Sequence, residues 1–127
     1  MKRFLNIYFD AYRNYANFSG RTSREEYRIF YIMHAFVCLM PIIFMYIIPL
    51  SINMWRVFCV WIFLFVLLTS IPLLAIRARR LHDINMSGWA QFYLPIIPIT
   101  GYLTLRRYLY TEGDPYENIY GPPSSEF

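Results

Sequence analysis

Residues 57–76 read VFCVWIFLFVLLTSIPLLAI and lie between Arg56 and Arg77. No charged side chain interrupts these 20 residues. At about 1.5 Å of rise per residue they form a helix about 30 Å long, the thickness of a bilayer's hydrocarbon core. The run therefore predicts a transmembrane helix. Upstream, residues 29–50 read IFYIMHAFVCLMPIIFMYIIPL, 22 residues with no Asp, Glu, Lys or Arg and a single histidine, His34. They predict another span, in which His34 is a hydrogen-bonded packing residue near one interface. Downstream, a third uncharged gap separates Asp83 from Arg106 and contains Pro95, Pro98 and Gly101. A third span over about 87–105 is expected. Its apolar part is near the short limit for crossing, and each proline removes a backbone donor, so the alternative is a re-entrant or interfacial segment.

The rest of the chain fits this frame. Its 127 residues make one membrane domain, residues 1–127, with 57% hydrophobic, 20% aromatic and 16% charged residues. Soluble domains average about 45–50% apolar and about 25% charged. An ordinary soluble fold and a disordered chain are both excluded. The first apolar run begins at residue 29 and is too long for a signal peptide, so no secretory leader is expected. The expected fold class is an all-α membrane protein, with about three transmembrane helices preceded by an N-terminal amphipathic interfacial helix. Residues 106–127 read as an irregular, partly disordered tail.

Basic residues set the orientation. Residues 1–28 hold Lys2, Arg3, Arg13, Arg21, Arg24 and Arg28, and the segment after the second span holds Arg77, Arg79 and Arg80. With three spans these nine face Arg56, Arg106 and Arg107 across the bilayer. The N-terminus is expected in the cytoplasm and the tail outside; a re-entrant third segment would bring the tail inside.

Residues 1–19 form a two-faced helix. At about 100° per residue, Phe4, Leu5, Ile7, Tyr8, Phe9, Tyr12, Tyr15 and Phe18 share one arc, and Lys2, Arg3, Asn6, Asp10, Arg13, Asn14 and Asn17 fill the other. The aromatic face fits either the inner leaflet or the membrane bundle. After the turn at residues 17–20, Thr22 and Ser23 each precede a glutamate by three positions. This is capping-box spacing, and it starts the first membrane helix near Ser23. Cys38 and Cys59 are expected at different depths, unpaired, and no metal-ligand spacing occurs.

Both flanks of the first two spans converge on one polar surface. Arg21, Arg24, Arg79, Arg80 and His82 are the candidate binding cluster, with Glu25 and Asp83 as internal counter-ions. Arginine forks suit phosphate and carboxylate, so the expected ligand is an anionic lipid headgroup or a nucleotide-like phosphate. Trp55 and Trp89 are candidate interface anchors.

Two stretches in this order, Gly20-Arg21-Thr22-Ser23-Arg24-Glu25-Glu26-Tyr27 and Arg79-Arg80-Leu81-His82-Asp83 with Ser87-Gly88-Trp89, are followed by Asn118-Ile119-Tyr120-Gly121-Pro122. Together they resemble the domain of unknown function 805 family of small bacterial inner-membrane proteins. The chain departs from that family's pattern in carrying Arg28 where a Trp is expected, Asn85 in a Gly position and Ala90 in place of a frequent second Trp. The resemblance implies an inner (plasma) membrane location and no known activity.

Among function classes, an enzyme is disfavoured because no metalloprotease, nucleophile-elbow, P-loop or dinucleotide motif is present. No cofactor or metal is expected. Nucleic acid is not an expected partner, because the chain offers no extended basic groove. An oligomeric transporter or channel subunit is the alternative reading, weakened by the lack of an intramembrane carboxylate. The favoured expectation is a non-catalytic membrane protein that binds lipid headgroups or a protein partner, with a homo-oligomer or a membrane-protein complex as the assemblies to be looked for.

Overall fold

The computed structural model describes residues 2–48, 51–93, 96 and 98–124. Its regular elements are helices: α1 (Lys2–Arg13), α2 (Arg24–Ile47), α3 (Ile52–Asp83), α4 (Ala90–Tyr93) and α5 (Pro98–Tyr110). The frame is the antiparallel hairpin of α2 and α3. At one end Phe44 and Phe58 have ring centroids 6.3 Å apart, and at the other the Thr22 amide donates to the Arg79 carbonyl at 3.1 Å.

The helix starts follow local chemistry. Ser23 caps α2: its hydroxyl accepts from the Glu26 amide, and the Glu26 carboxylate accepts from the Ser23 amide. Ser51 caps α3 by accepting from the Met54 amide. With 24 and 32 residues, α2 and α3 are about 36 and 48 Å long. Both are long and apolar enough to cross a membrane. Their outward ridges, such as Phe36, Ile43, Val60 and Phe63, are exposed, which water would penalise and lipid would not. Pro49 and Leu50, the end of the first expected span, lie outside the described residues. The second runs past its expected limit: residues 77–83, placed above in the segment after the span, are the last two turns of α3.

The N-terminal helix is shorter than the expected stripe and ends at Arg13, leaving Tyr15 and Phe18 in the following turn. Its direction is fixed by three contacts. Arg3 bonds Glu25 at 2.9 Å, Tyr8 stacks on Phe30 at 5.4 Å and Tyr12 meets His34 at 3.3 Å. Each joins residues 22 apart, so α1 advances alongside α2, parallel to it. Tyr8 and Ala11 are buried there, while Phe4, Leu5 and Phe9 stay exposed. Of the two readings of this face, packing on the bundle accounts for its centre, and the apolar edge remains free.

The expected third span over about 87–105 is not confirmed: among the described residues it holds the four residues of α4 and the first part of α5, and Leu94, Pro95 and Ile97 lie outside the described residues. Helix α5 opens on Pro98, which suits a first helical position. Both ends of the segment are tied to one place, because the Asp114 amide donates to the Asp83 carbonyl at 2.7 Å. A single crossing would separate those ends by about 30 Å. The segment leaves α3 through Asn85 at φ 56°, a left-handed conformation that Gly or Asn adopts most readily. The Gly-to-Asn departure is thus accommodated by the backbone.

Left-handed backbone costs other residues about 1–2 kcal/mol. Asn85→Gly should leave the thermal unfolding midpoint in detergent unchanged, whereas Asn85→Val should lower it.

Candidate functional site, a buried arginine–aspartate latch

The sequence places Arg80 and Asp83 three apart, and helix α3 puts them on one face. Arg80 Nη1 donates to Asp83 Oδ2 at 2.6 Å, and Arg21 Nε donates to Asp83 Oδ1 at 2.9 Å. The side chains of Arg21, Arg80 and Asp83 are 2%, 0% and 1% exposed. Two cations against one anion leave a surplus positive charge in a dry site, and burial of charge is tolerated only with full hydrogen bonding. Backbone carbonyls supply it. Arg21 also donates to Tyr116, at 2.8 Å, and to Asp114. Arg80 donates to Tyr108, at 3.0 Å, and to Thr111.

These acceptors include the end of a helix. The last carbonyls of α5 have no partner within the helix and carry the negative end of its dipole. Arg80 takes Tyr108 and Thr111, Arg28 takes Leu109, and Arg24 reaches Tyr110 at 3.4 Å. Three arginines from α2 and α3 therefore cap α5. Arg28, in the family's Trp position, also lies 5.2 Å above the Tyr110 ring, a cation–π contact. The third segment bends back because its C-terminus is drawn to these cations.

The tail closes the site. Ser124 donates to Asp83 Oδ1 at 2.7 Å, and the Asn118 side chain donates to the His82 carbonyl at 3.0 Å. Gly113 passes so close that a Cβ there would sit 2.2 Å from Asp83 Oδ2. The His82 ring stacks on Tyr120, with centroids 3.8 Å apart and planes 4° from parallel, while its Nδ1 meets the Gly20 carbonyl at 3.1 Å. Residues 106–110, read above as the start of the irregular tail, are the last residues of α5; residues 111–124 are irregular and docked. Residues 125–127 lie outside the described residues.

The predicted cluster is thus divided. Arg21, Arg80 and Asp83 come together, with His82 beside them, but the arginines spend their donors internally. Glu25 is elsewhere, paired with Arg3. Arg24 faces Glu112 at 3.5 Å. Arg79 contributes its carbonyl to Thr22, and its Nε is buried without a hydrogen bond. Trp89 is exposed near the latch, and Trp55 is exposed at the opposite end of the hairpin. Cys38 and Cys59 are free. Among the described residues no group of three His, Cys, Asp or Glu is arranged to hold a metal ion.

Sequence reading missed Arg28, Gly113, Asn118, Tyr120 and Ser124, and it missed a second polar group. Tyr27 Oη, Tyr108 Oη and Arg77 Nε are buried with no hydrogen bond, and the Tyr27 and Tyr108 rings stack at 5.3 Å. Burial pushes the Tyr108 phenol well above the usual tyrosine range, so it stays a hydroxyl at neutral pH. The i to i+4 spacing of Tyr27 and Tyr31 was the available signal, but the partner Tyr108 arrives only through the fold of the third segment.

Removing one partner from a buried ion pair costs about 3–5 kcal/mol, and one neutral hydrogen bond about 1 kcal/mol. In detergent unfolding Asp83→Ala should be far more damaging than Ser124→Ala. Limited proteolysis should show residues 116–119 cleaved faster in Asp83→Ala and in Gly113→Ala, whose Cβ collides with the carboxylate.

Comparison with known proteins places the chain in a family. A family model described as protein of unknown function (DUF805) matches residues 15–122, a range that begins just after α1. Inner membrane protein YhaI of Escherichia coli (strain K12) is 35% identical over 118 residues, which cover 92% of this chain and 93% of that protein. Inner membrane protein YhaH of the same strain is 31% identical over 123 residues, 93% of this chain and 95% of that protein. No solved structure matches. The chain belongs to the DUF805 family of proteins of unknown function, among relatives that are inner membrane proteins.

Proposed function

We propose that this is a non-catalytic inner-membrane protein. In this reading the α2–α3 hairpin crosses the bilayer twice, the latch and both chain flanks are cytoplasmic, and the segment of α4 and α5 is a re-entrant or interfacial hairpin. The observation that carries it is the distribution of charge. Arg56 stands alone at the hairpin's far end, and the other basic residues lie in the half that contains the latch, since Asp114 and the end of α5 are tied to α2 and α3 there. This division is steeper than the nine-to-three split of a three-span topology, and steeper asymmetry favours a cytoplasmic basic half.

Because Arg21 and Arg80 are consumed by Asp83, the cations offered to a partner are peripheral. Lys2 on α1 and Arg106 and Arg107 on α5 are exposed, as are Arg3 and Arg13, which pair at the surface with Glu25 and Asp10, and the apolar edge of Phe4, Leu5 and Phe9 adjoins the cations of α1. Basic residues beside apolar ones suit the headgroup layer of an anionic leaflet, where each cation contributes about 1 kcal/mol. The docked tail and the stable latch supply a rigid base for that face. The function proposed is retention of anionic lipid around this basic half.

Two measurements test the reading. In a variant with Cys38 and Cys59 replaced by alanine, Ile119→Cys should be shielded from a membrane-impermeant thiol reagent in intact cells and labelled after lysis; labelling in intact cells would refute the topology. In vesicles at low salt, spin-labelled phosphatidylglycerol should associate with the protein in preference to phosphatidylcholine. The preference should shrink when Arg3, Arg13, Arg106 and Arg107 are all changed to glutamine, and a wild-type ratio of one would end the lipid reading.

A further inference from the structure

We propose that the groove between α2 and α3 holds an acyl chain of an anionic phospholipid whose phosphate rests against Arg77, beside Tyr27 and Tyr108. The proposal rests on the membrane placement above and names a specific site within it.

The groove has a volume of about 310 Å³ and is lined by Tyr31, His34 and Cys38 from α2 and Val66, Ser70 and Leu73 from α3. This is at the small end of the range for ligand sites, about 300–1,000 Å³. Its walls are mostly apolar, and the hydroxyls nearby are satisfied within their own helix, as Ser70 is by the Leu67 carbonyl at 2.6 Å. A polar ligand finds little to bond along this length, whereas a hydrocarbon chain needs nothing.

The groove's basic end has the opposite character. Tyr27 precedes Tyr31 by four residues and Arg77 follows Leu73 by four, so each continues its ridge by one turn. There Tyr27 Oη, Tyr108 Oη and Arg77 Nε are buried without hydrogen bonds, and the two tyrosines are 0% and 5% exposed. The Arg77 charge acts on both phenols and on His34. A guanidinium can only donate, whereas a phenol hydroxyl donates and accepts, so the Tyr27 oxygen can receive one Arg77 N–H. The group is therefore rich in donors and holds no anion to balance Arg77.

Nearby carboxylates are engaged elsewhere. Asp83 is shared by Arg21 and Arg80, Glu25 pairs with Arg3, Glu26 closes the α2 capping box, and Glu112 faces Arg24. Among the described residues no carboxylate lies within ion-pair distance of Arg77. Arg77 also directly follows the apolar stretch 57–76, which in the membrane placement proposed above sets it where headgroup phosphates meet hydrocarbon. A phosphate oxygen supplies an acceptor and the missing counter-charge, and its acyl chain lies along the groove below.

The test uses full-length protein, purified in mild detergent and stripped of lipid. Dioleoyl-phosphatidylglycerol should raise its thermal midpoint saturably, and native mass spectrometry should detect one retained lipid. Arg77→Gln and Ser70→Phe, which fills the groove, should each weaken that binding at least tenfold. Tyr108→Phe, which keeps the ring and removes only the hydroxyl, should weaken it severalfold. Arg56→Gln, at the other end, should match wild type. Inorganic phosphate alone should leave the midpoint unchanged; an equal shift would show a free-anion site and overturn the lipid assignment. Unaltered lipid binding in Arg77→Gln, Ser70→Phe and Tyr108→Phe would overturn the site while sparing the peripheral reading. A wild-type protein indifferent to phosphatidylglycerol would overturn it as well.

Discussion

The Asp83 carboxylate is the constraint on which the basic half of this protein depends. Its two oxygens accept from Arg21, in the segment before α2, and from Arg80 of α3. Neither arginine could be buried without that charge and without the carbonyls that complete its bonds. Those carbonyls belong to the end of α5 and to the tail. One carboxylate thus joins four parts of the chain, and it determines that α5 must return to where α3 ended. The route of the third segment is a consequence of this polar demand more than of its own hydropathy.

Much of the frame was legible in the sequence. The two uninterrupted apolar runs became α2 and α3, and the spacing of Ser23 and Glu26 gave the capping box found at the start of α2. These features are local, and periodicity or a fixed spacing encodes them. The path of the third segment was left open between a span and a re-entrant segment, because its apolar length resembles a short span. What fixes its far end is a set of bonds to residues 108–111 from Arg28 and Arg24, 81 and 86 positions upstream, and from Arg80, 28 and 31 positions upstream. No local pattern records such pairings. Residues 77–83 were placed after the span because charge usually marks the end of a span; here the helix runs on, since Asp83 satisfies Arg80 within it.

The candidate site was legible as a group and illegible in its use. Arg21, Arg80, His82 and Asp83 are neighbours, as their positions at the span ends suggested. Sequence alone does not reveal whether a guanidinium faces inward or outward, and here the best-placed ones face inward. Glu25 shows the converse: its position beside Arg24 suggested membership, yet α1 lies parallel to α2 and presents Arg3 to it. The amphipathic stripe told the composition of α1 but not its direction, which three contacts with a common spacing define.

The distances along the chain within the latch bear on how the protein is made. Arg21 bonds carbonyls 93 to 100 residues downstream, and Asp83 bonds a hydroxyl 41 residues downstream. While a ribosome is still extending the chain, the α2–α3 hairpin is already complete but those partners do not yet exist. Throughout that interval Arg21, Arg80 and Asp83 must remain hydrated. Formation of the hairpin and closure of its basic end are consequently separate events in time, and the nascent chain has a wet, open end until the tail arrives to exclude the water.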